Sequence, residues 1–233
     1  MHSPTADYFT TAFADSMAGM ALVGLDGRWL EVNPALCRIL GYRREALLAC
    51  SFRDLTHADD LPADLQLLDR LLAGEISTYN LEKRYWHADG RVVWGLLTVS
   101  LVRDAVGAAE CLIAQVVDIT PQKTAADDQH AFFTQSADLL AIARTDGYLA
   151  RVNPAWTDAL GWNEDDLTSR PFIEFVHPDD QAATRAEADK IYRGGVTRGF
   201  RNRYRRVDGS YRWLEWSTHA TAGGMLYCSV RDI

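Results

Sequence analysis

Hydrophobic positions along residues 60–73 repeat with the period of an α-helix. Leu61, Leu65, Leu68 and Leu72 are three or four positions apart, so they predict one apolar face on a helix over this segment. Polar or small residues occupy most of the positions between them, which is typical of a helix with one face on a core.

Five shorter segments predict β-strands because they are apolar or alternating runs bounded by turn residues, at 19–25, 28–32, 77–88, 91–103 and 110–119. Asp26-Gly27 and Asp89-Gly90 each join two of them. Asp-Gly favours a two-residue hairpin turn, since both central positions need positive φ. Asn33 predicts the start of a further helix, which ends at Gly41.

This arrangement of segments occurs twice. Asn33-Pro34-Ala35 returns as Asn153-Pro154-Ala155, and Asp89-Gly90 returns as Asp208-Gly209, each about 120 positions later. So long a period indicates two copies of a whole domain. We therefore expect a first domain with an N-terminal helix, a helical linker and a second domain, at 1–120, 121–136 and 137–233.

The order of elements predicts the fold class of each copy. Two strands, four helices and three strands form an antiparallel five-stranded sheet with the helices on one face. By the logic of packed layers this is an α+β domain.

Composition narrows the classes of partner. The 233 residues carry a formal net charge of −8, which disfavours nucleic acid, because proteins that neutralise phosphates have a basic excess. We expect reduced thiols, no metal site and a cytoplasmic location, since no CxxC pair occurs among Cys37, Cys50, Cys111 and Cys228. The sequence shows neither a signal peptide nor an apolar run of membrane-spanning length.

At these motifs the chain resembles the PAS family, with its C-terminal PAC half. The first copy carries Val32-Asn33-Pro34-Ala35, Leu40-Gly41-Tyr42 and Trp94. The second carries Val152-Asn153-Pro154-Ala155, Leu160-Gly161-Trp162 and Trp213. The resemblance implies a sensory input and dimerisation module of a bacterial signal-transduction protein, and not an enzyme.

The resemblance also implies a route for the signal out of each domain. PAS domains end in an Asp-Ile-Thr signature, which is matched by Asp118, Ile119 and Thr120, and by Asp232 and Ile233 in the second copy. In the family this signature leads to an effector. We expect a C-terminal effector outside this chain, either a GGDEF/EAL enzyme (diguanylate cyclase or phosphodiesterase) or a histidine kinase.

Strand alternation predicts which side chains face the helices and could line a ligand pocket. In the first copy the candidates are Leu36, Leu40, Phe52, Tyr85, Gly95, Leu97 and Val116. In the second copy they are Trp156, Leu160, Phe172, Tyr204, Trp216 and Cys228. We expect an open pocket above Gly95 and a second pocket filled by Trp156 and Trp216. A plain filled core is the alternative for the first copy, and an open pocket is the alternative for the second.

No cofactor is predicted for either copy. Haem-binding PAS proteins use a histidine in the long helix, and neither 61–73 nor 179–193 contains one. Flavin-binding members place an asparagine four residues before the hairpin aspartate, where Tyr85 and Tyr204 stand here. The expected ligand is therefore an unknown small molecule, with flavin and haem disfavoured.

Trp94 and Trp213 fall on the other face of the sheet. An apolar outer face needs cover, so we expect a homodimer through the N-terminal helix or this face, with cover from within the chain as the alternative. In the second copy Arg201, Arg203 and Arg205 share this face and predict cross-strand ion pairs and stacking on Trp213. A ligand-free interaction module is the competing function.

Overall fold

The structure, a computed structural model, describes residues 4–221 and 223–233 of the chain. The chain divides into two compact units, Met1–Ala125 and Ala126–Ile233. The division falls inside the segment for which a helical linker is predicted, and this segment forms one helix, Thr120–Gln135.

The first unit follows the predicted order of elements. A helix and a strand pair come first: α1 (Pro4–Asp15), β1 (Gly19–Val23) and β2 (Trp29–Val32). Four helices follow: α2 (Pro34–Leu40), α3 (Arg44–Leu48), α4 (Phe52–Leu55) and α5 (Leu61–Leu72). Three longer strands complete it: β3 (Thr78–Trp86), β4 (Val92–Arg103) and β5 (Ala109–Asp118).

The second unit repeats this plan after α6 (Thr120–Gln135). Its first half contains β6 (Leu139–Arg144), β7 (Leu149–Val152), α7 (Ala155–Leu160), α8 (Glu164–Thr168) and 3₁₀ turns at Phe172–Phe175 and Pro178–Asp180. Its second half contains α9 (Gln181–Tyr192), β8 (Val196–Arg205), β9 (Tyr211–Ala220) and β10 (Met225–Asp232). Among the described residues, no helix has both the length and the apolar character needed to cross a bilayer.

Each unit builds one five-stranded antiparallel sheet. The strand orders are β2-β1-β5-β4-β3 and β7-β6-β10-β9-β8. In both sheets the first strand lies beside the last, so that Gly19 pairs with Val116 and Leu139 pairs with Val230. The predicted α+β class, with helices packed on antiparallel sheets, is confirmed.

A buried asparagine ties together the elements at the start of the first unit. The side chain of Asn33 accepts hydrogen bonds from the backbone N–H groups of Met20 and Leu36, both at 2.9 Å. It donates to the carbonyl oxygens of Phe13 at 3.0 Å and Ala18 at 2.9 Å. The matching asparagine of the second unit bonds in the same way to β6 and to the residues before it. The asparagine of the Asn-Pro-Ala motif therefore has a structural role in each domain, because its hydrogen bonds hold neighbouring elements together.

A glycine ends the helix after each of these asparagines. Gly41 has a φ of 75° and Gly161 a φ of 80°, both left-handed. A Cβ on Gly41 would lie 2.2 Å from Nε2 of His87, so the close packing of this ring adds a second demand for glycine.

The buried face of α5 differs from the predicted leucine stripe. The buried residues of this helix are Asp64, Leu68 and Leu71. Three of the four predicted leucines are only partly buried: Leu61, Leu65 and Leu72. The helix presents Asp64 to the interior because this carboxylate pairs with Lys83 on the sheet.

Candidate functional site

Each domain encloses a small cavity between its long helix and the inner face of its sheet. The cavity measures about 20 Å³ in the first domain and about 60 Å³ in the second. This order is the reverse of the expectation, in which the pocket above Gly95 is open and the tryptophans fill the second one.

One substitution within the repeat and the packing around Gly95 explain the smaller cavity of the first domain. Leu68 is buried on α5, whereas the matching position on α9 is Ala188, which lines the second cavity. The ring of Tyr85 covers Gly95, so that a Cβ on this glycine would lie 2.7 Å from Cε2 of the tyrosine. The space that Gly95 leaves is thus taken up by its neighbour.

Trp156 and Trp216 leave the second cavity open because both are held on one side of it. The indole N–H of Trp156 donates to the carbonyl of Leu140 at 3.0 Å, and that of Trp216 donates to Oδ1 of Asn202 at 2.8 Å. Their ring centroids are 5.7 Å apart, and Tyr204 packs against both. The cavity lies between Trp216 and Tyr204 of this cluster and α9.

A buried ion pair occupies the first cavity wall. Lys83 Nζ lies 2.5 Å from Asp64 Oδ2 and donates to Thr56 Oγ1 at 2.8 Å. The hydroxyl of Tyr79 donates to Asp64 Oδ1 at 2.8 Å, and the ammonium lies 4.5 Å from the ring centroid of Tyr85. Both charged side chains are 1% exposed, so these partners replace water.

Burial dominates the electrostatics of this pair. It lowers the pKa of Lys83, and the charge of Asp64 opposes that shift. Burial also raises the pKa of Tyr79, followed by the effect of the Asp64 charge. The two opposite charges satisfy each other, so this cavity offers a ligand little to bind.

The second domain has neutral side chains where the first has this pair. Thr184 stands at the position of Asp64, and Asn202 at the position of Lys83. Asn202 Nδ2 donates to Thr184 Oγ1 at 3.1 Å, and this hydroxyl donates to the carbonyl of Asp180 at 2.8 Å. Much of the remaining wall is apolar: Ala143, Leu149, Phe172, Ile191, Phe200 and Leu226.

Glu187 and Cys228 are two of the titratable side chains that line the second cavity. Glu187 Oε1 accepts hydrogen bonds from Thr197 Oγ1 at 2.5 Å and from Lys190 Nζ at 2.9 Å, and both lower the pKa of this carboxyl. Burial raises the pKa of the Cys228 thiol to about 11. At neutral pH the first group is therefore an ion-paired carboxylate and the second a protonated thiol.

The four cysteines are free thiols. Within residues 4–221 and 223–233, no cluster of three or more His, Cys, Asp or Glu side chains could hold a metal ion.

The predicted pocket residues lie in the interior of their own domains, but only some of them line a cavity. The first cavity is lined by Phe52, Tyr85 and Leu97. The second is lined by Phe172, Tyr204, Trp216 and Cys228. The others are buried beside the cavities without lining them: Leu36, Leu40, Gly95, Val116, Trp156 and Leu160.

The predicted set omits the residues that the long helices α5 and α9 contribute to the cavity walls. Asp64 and Leu68 on α5 line the first cavity, and Thr184, Glu187 and Ala188 on α9 line the second. Lys83 is the signal in the sequence that could have found Asp64. It shares a strand face with Tyr85 and therefore points into the domain, where a charged side chain needs a carboxylate partner.

The residues that directly follow β5 are hydrogen-bonded to the neighbouring strand β4. Ile119 N donates to the carbonyl of Trp94 at 2.9 Å, and Trp94 N donates to Thr120 Oγ1 at 2.9 Å. Asp118 Oδ1 accepts from Thr120 N at 2.8 Å. These bonds connect β4 and β5 to the first turn of α6.

The second domain repeats the first of these bonds, from Ile233 N to the carbonyl of Trp213 at 3.0 Å.

On the outer face of the second sheet, Arg201 on β8 forms an ion pair with Glu215 on β9 at 2.7 Å. The guanidinium of Arg203 lies 5.3 Å from the ring centroid of Trp213. The predicted cross-strand ion pair and arginine–tryptophan stacking are confirmed.

The two outer-face tryptophans differ in cover. Trp94 is half-buried, with Lys123 Nζ 5.0 Å and the Arg84 guanidinium 5.5 Å from its ring centroid. Trp213 is 47% exposed. The first domain therefore covers its outer face partly with the start of α6.

Comparison with known families gives one result for both copies. The sequence model described as "PAS fold" matches residues 30–116 and 149–227, which together make up more than half of the chain.

Two curated relatives are large signalling proteins. The chain is 48% identical over 121 residues to the probable diguanylate cyclase DgcE of Escherichia coli (strain K12), covering 52% of this chain and 11% of that protein. It is 31% identical over 133 residues to the sensor histidine kinase TmoS of Ectopseudomonas mendocina, covering 57% of this chain and 13% of that protein. The match therefore spans a small part of either relative.

A solved structure also aligns with one half of the chain. It is a domain of the sensory box sensor histidine kinase/response regulator from Geobacter sulfurreducens, with a TM-score of 0.42 and 24% identity. The alignment covers 49% of this chain and 94% of that one.

Proposed function

The chain belongs to the PAS fold family, and we propose that it is a sensory input module whose second domain binds a small molecule. PAS domains sense and relay signals rather than catalyse reactions. The observation that carries the proposal is the cavity of about 60 Å³ between α9 and the sheet. The relatives named diguanylate cyclase and sensor histidine kinase support a sensory role.

The proposed output runs through the last strand of the second domain. Cys228 on β10 lines the cavity, and Ile233, directly after β10, bonds to Trp213. A ligand that shifts β10 moves this junction and biases a C-terminal effector, which we propose to be a GGDEF/EAL enzyme or a histidine kinase. The free thiols suit a cytoplasmic location, which is also part of the proposal.

The cavity limits the size and the affinity of the ligand. An engineered cavity of about 150 Å³ holds benzene, so a ligand of the same six heavy atoms enters this cavity of about 60 Å³ only when wall side chains move apart. A ligand of about six heavy atoms gains at most about 9 kcal/mol, because the best small ligands gain about 1.5 kcal/mol per heavy atom, and this corresponds to a Kd of about 0.3 μM at best.

The variant Ala188→Leu tests this function by filling the cavity as Leu68 does in the first domain. Ala186→Leu is the matched control, since Ala186 is exposed on the same helix. Binding of isobutyramide to the full chain is measured by ligand-observed NMR. We expect the parent chain and Ala186→Leu to bind alike, and Ala188→Leu to bind at least about tenfold more weakly. Equal binding by all three chains would refute the proposed site.

A second candidate function is dimerisation without a ligand, and the exposed aromatic side chains favour it. Phe132 on α6 is 73% exposed and Trp213 on the outer sheet face is 47% exposed. Sedimentation equilibrium of the full chain tests this role. A homodimer that Phe132→Glu or Trp213→Glu dissociates is expected, and a monomer at every concentration contradicts it.

A further inference from the structure

The two cavities share one position in the fold but differ in charge. In the first domain Lys83 and Asp64 form a buried ion pair. In the second domain Asn202 and Thr184 occupy these positions, and both are buried. The buried ion pair of the first domain thus has an uncharged counterpart in the larger cavity.

Asn202 has hydrogen-bonding capacity that a ligand could use. Among the described residues, its Nδ2 donates to Thr184 and its Oδ1 accepts from Trp216 Nε1. An asparagine side chain has two N–H donors and two acceptor lone pairs, so one N–H and one lone pair are left. Asn202 is 1% exposed and lines the cavity, so its side chain is part of the wall that a bound ligand would contact.

Glu187 is the charged side chain of the cavity wall in the described part of the chain. Its side chain is 22% exposed and pairs with Lys190, and Thr197 donates to the same oxygen. This carboxylate therefore lies at the solvent side, already paired, and gives no counter-charge to an ion beside Asn202.

We infer that the second cavity selects an uncharged ligand, mainly apolar, with a carbonyl or amide group that bonds to Asn202. This inference rests on the proposed function, because it names the ligand class of the same cavity. An ion that leaves water for the site beside Asn202 finds no unpaired opposite charge among the described residues, since Glu187 is already paired with Lys190, and it therefore keeps most of its desolvation cost. A neutral amide exchanges its bonds to water for bonds to Asn202.

Three probes of one shape and three charges test the inference on the full chain at pH 7. Isobutyramide is neutral, isobutyrate is an anion and isobutyramidinium is a cation, and all three are planar at the polar end. Ligand-observed NMR gives their affinities. We expect isobutyramide to bind more than about tenfold tighter than either ion, since burying an unpaired charge costs far more than burying a bonded amide. Preferred binding of either ion overturns the inference.

The variant Asn202→Leu locates the contact. It removes the amide group with little change in volume, and we expect the preference for isobutyramide over the ions to fall at least about fivefold. In the parent chain the indole N–H resonance of Trp216 should shift on binding, because this group bonds to Asn202. An unchanged preference and an unmoved resonance would place the ligand elsewhere.

These outcomes separate the two proposals. If none of the probes binds, or if a probe binds and Ala188→Leu does not change its binding, the proposed function fails. If an ion binds best and Ala188→Leu abolishes its binding, the cavity is a ligand site and only the inferred neutral class is wrong.

Discussion

Removal of Asp64 should leave a buried charge without its partner. The variant Asp64→Thr places in the first domain the residue that the second domain has at the same position. Lys83 is 1% exposed and keeps only Thr56 as a hydrogen-bond acceptor among the described residues. Tyr79 also loses the carboxylate to which its hydroxyl donates.

The expected loss follows from the burial of both groups. Removing one partner of a buried ion pair destabilises a protein by about 3–5 kcal/mol, because the other charge stays uncompensated. Replacing both partners is far less costly, so the double variant Asp64→Thr/Lys83→Asn should lie within about 1–2 kcal/mol of the parent chain. Asp69→Thr is the matched control, since Asp69 is exposed on the same helix, and it should change stability by less than about 0.5 kcal/mol.

The stability of Asp64→Thr should also depend on pH. Burial lowers the pKa of Lys83 in the folded domain, and Asp64 is the main group that opposes this shift. Without Asp64 the folded pKa falls further below the unfolded value of about 10.4. Between these two values the unfolded chain binds more protons, so the free energy of unfolding rises with pH. The variant should thus gain stability relative to the parent from neutral pH toward about pH 10.

Native-state hydrogen exchange of the full chain reads the two domains separately. Amides of β4 report the first domain, and those of β9 report the second as an internal reference. Urea unfolding followed by circular dichroism at several pH values gives the pH dependence. Two results would contradict this expectation. In one, Asp64→Thr lowers the free energy of unfolding no more than Asp69→Thr does. In the other, the double variant is as unstable as Asp64→Thr.

Three further predictions concern single positions. Asn33→Ala should destabilise the first domain by about 3 kcal/mol or more, since buried backbone groups lose partners, and exchange of the β1 amides measures it. Gly41→Ala should lower the melting temperature more than Gly90→Ala, because a Cβ at Gly41 meets a ring at 2.2 Å while none of the described atoms lies within 4 Å at Gly90. Cys228, with a pKa of about 11, should react with iodoacetamide more slowly at pH 8 than the half-buried Cys111, and peptide mass spectrometry follows this; equal rates contradict it.

Signals between chain neighbours were sufficient to predict the elements. The segment 91–103 was bounded by Asp89-Gly90 and forms β4 at Val92–Arg103. Gly41 ends α2 as predicted, since a left-handed residue is a local requirement. The repeat supplied a second example of these signals, and the antiparallel five-stranded sheet followed from the order of the elements.

The cavities could not be predicted because their volumes depend on several distant side chains at once. Gly95 indicated open space, but Tyr85 on the next strand covers it. Trp216 indicated filled space, but its bond to Asn202 holds it to one side. The inward turn of α5 toward Asp64 likewise depends on Lys83, which is far away in the sequence.

The pairing of the first strand with the last in each sheet has a consequence for how such chains evolve. Because Gly19 lies opposite Val116, and Leu139 opposite Val230, the chain enters and leaves each domain at adjacent strands. A domain with neighbouring ends can be duplicated or inserted without rebuilding its surroundings. Each copy can then diverge on its own. In this pair one copy has an internal ion pair beside a smaller cavity, and the other has uncharged side chains at those positions beside a larger one.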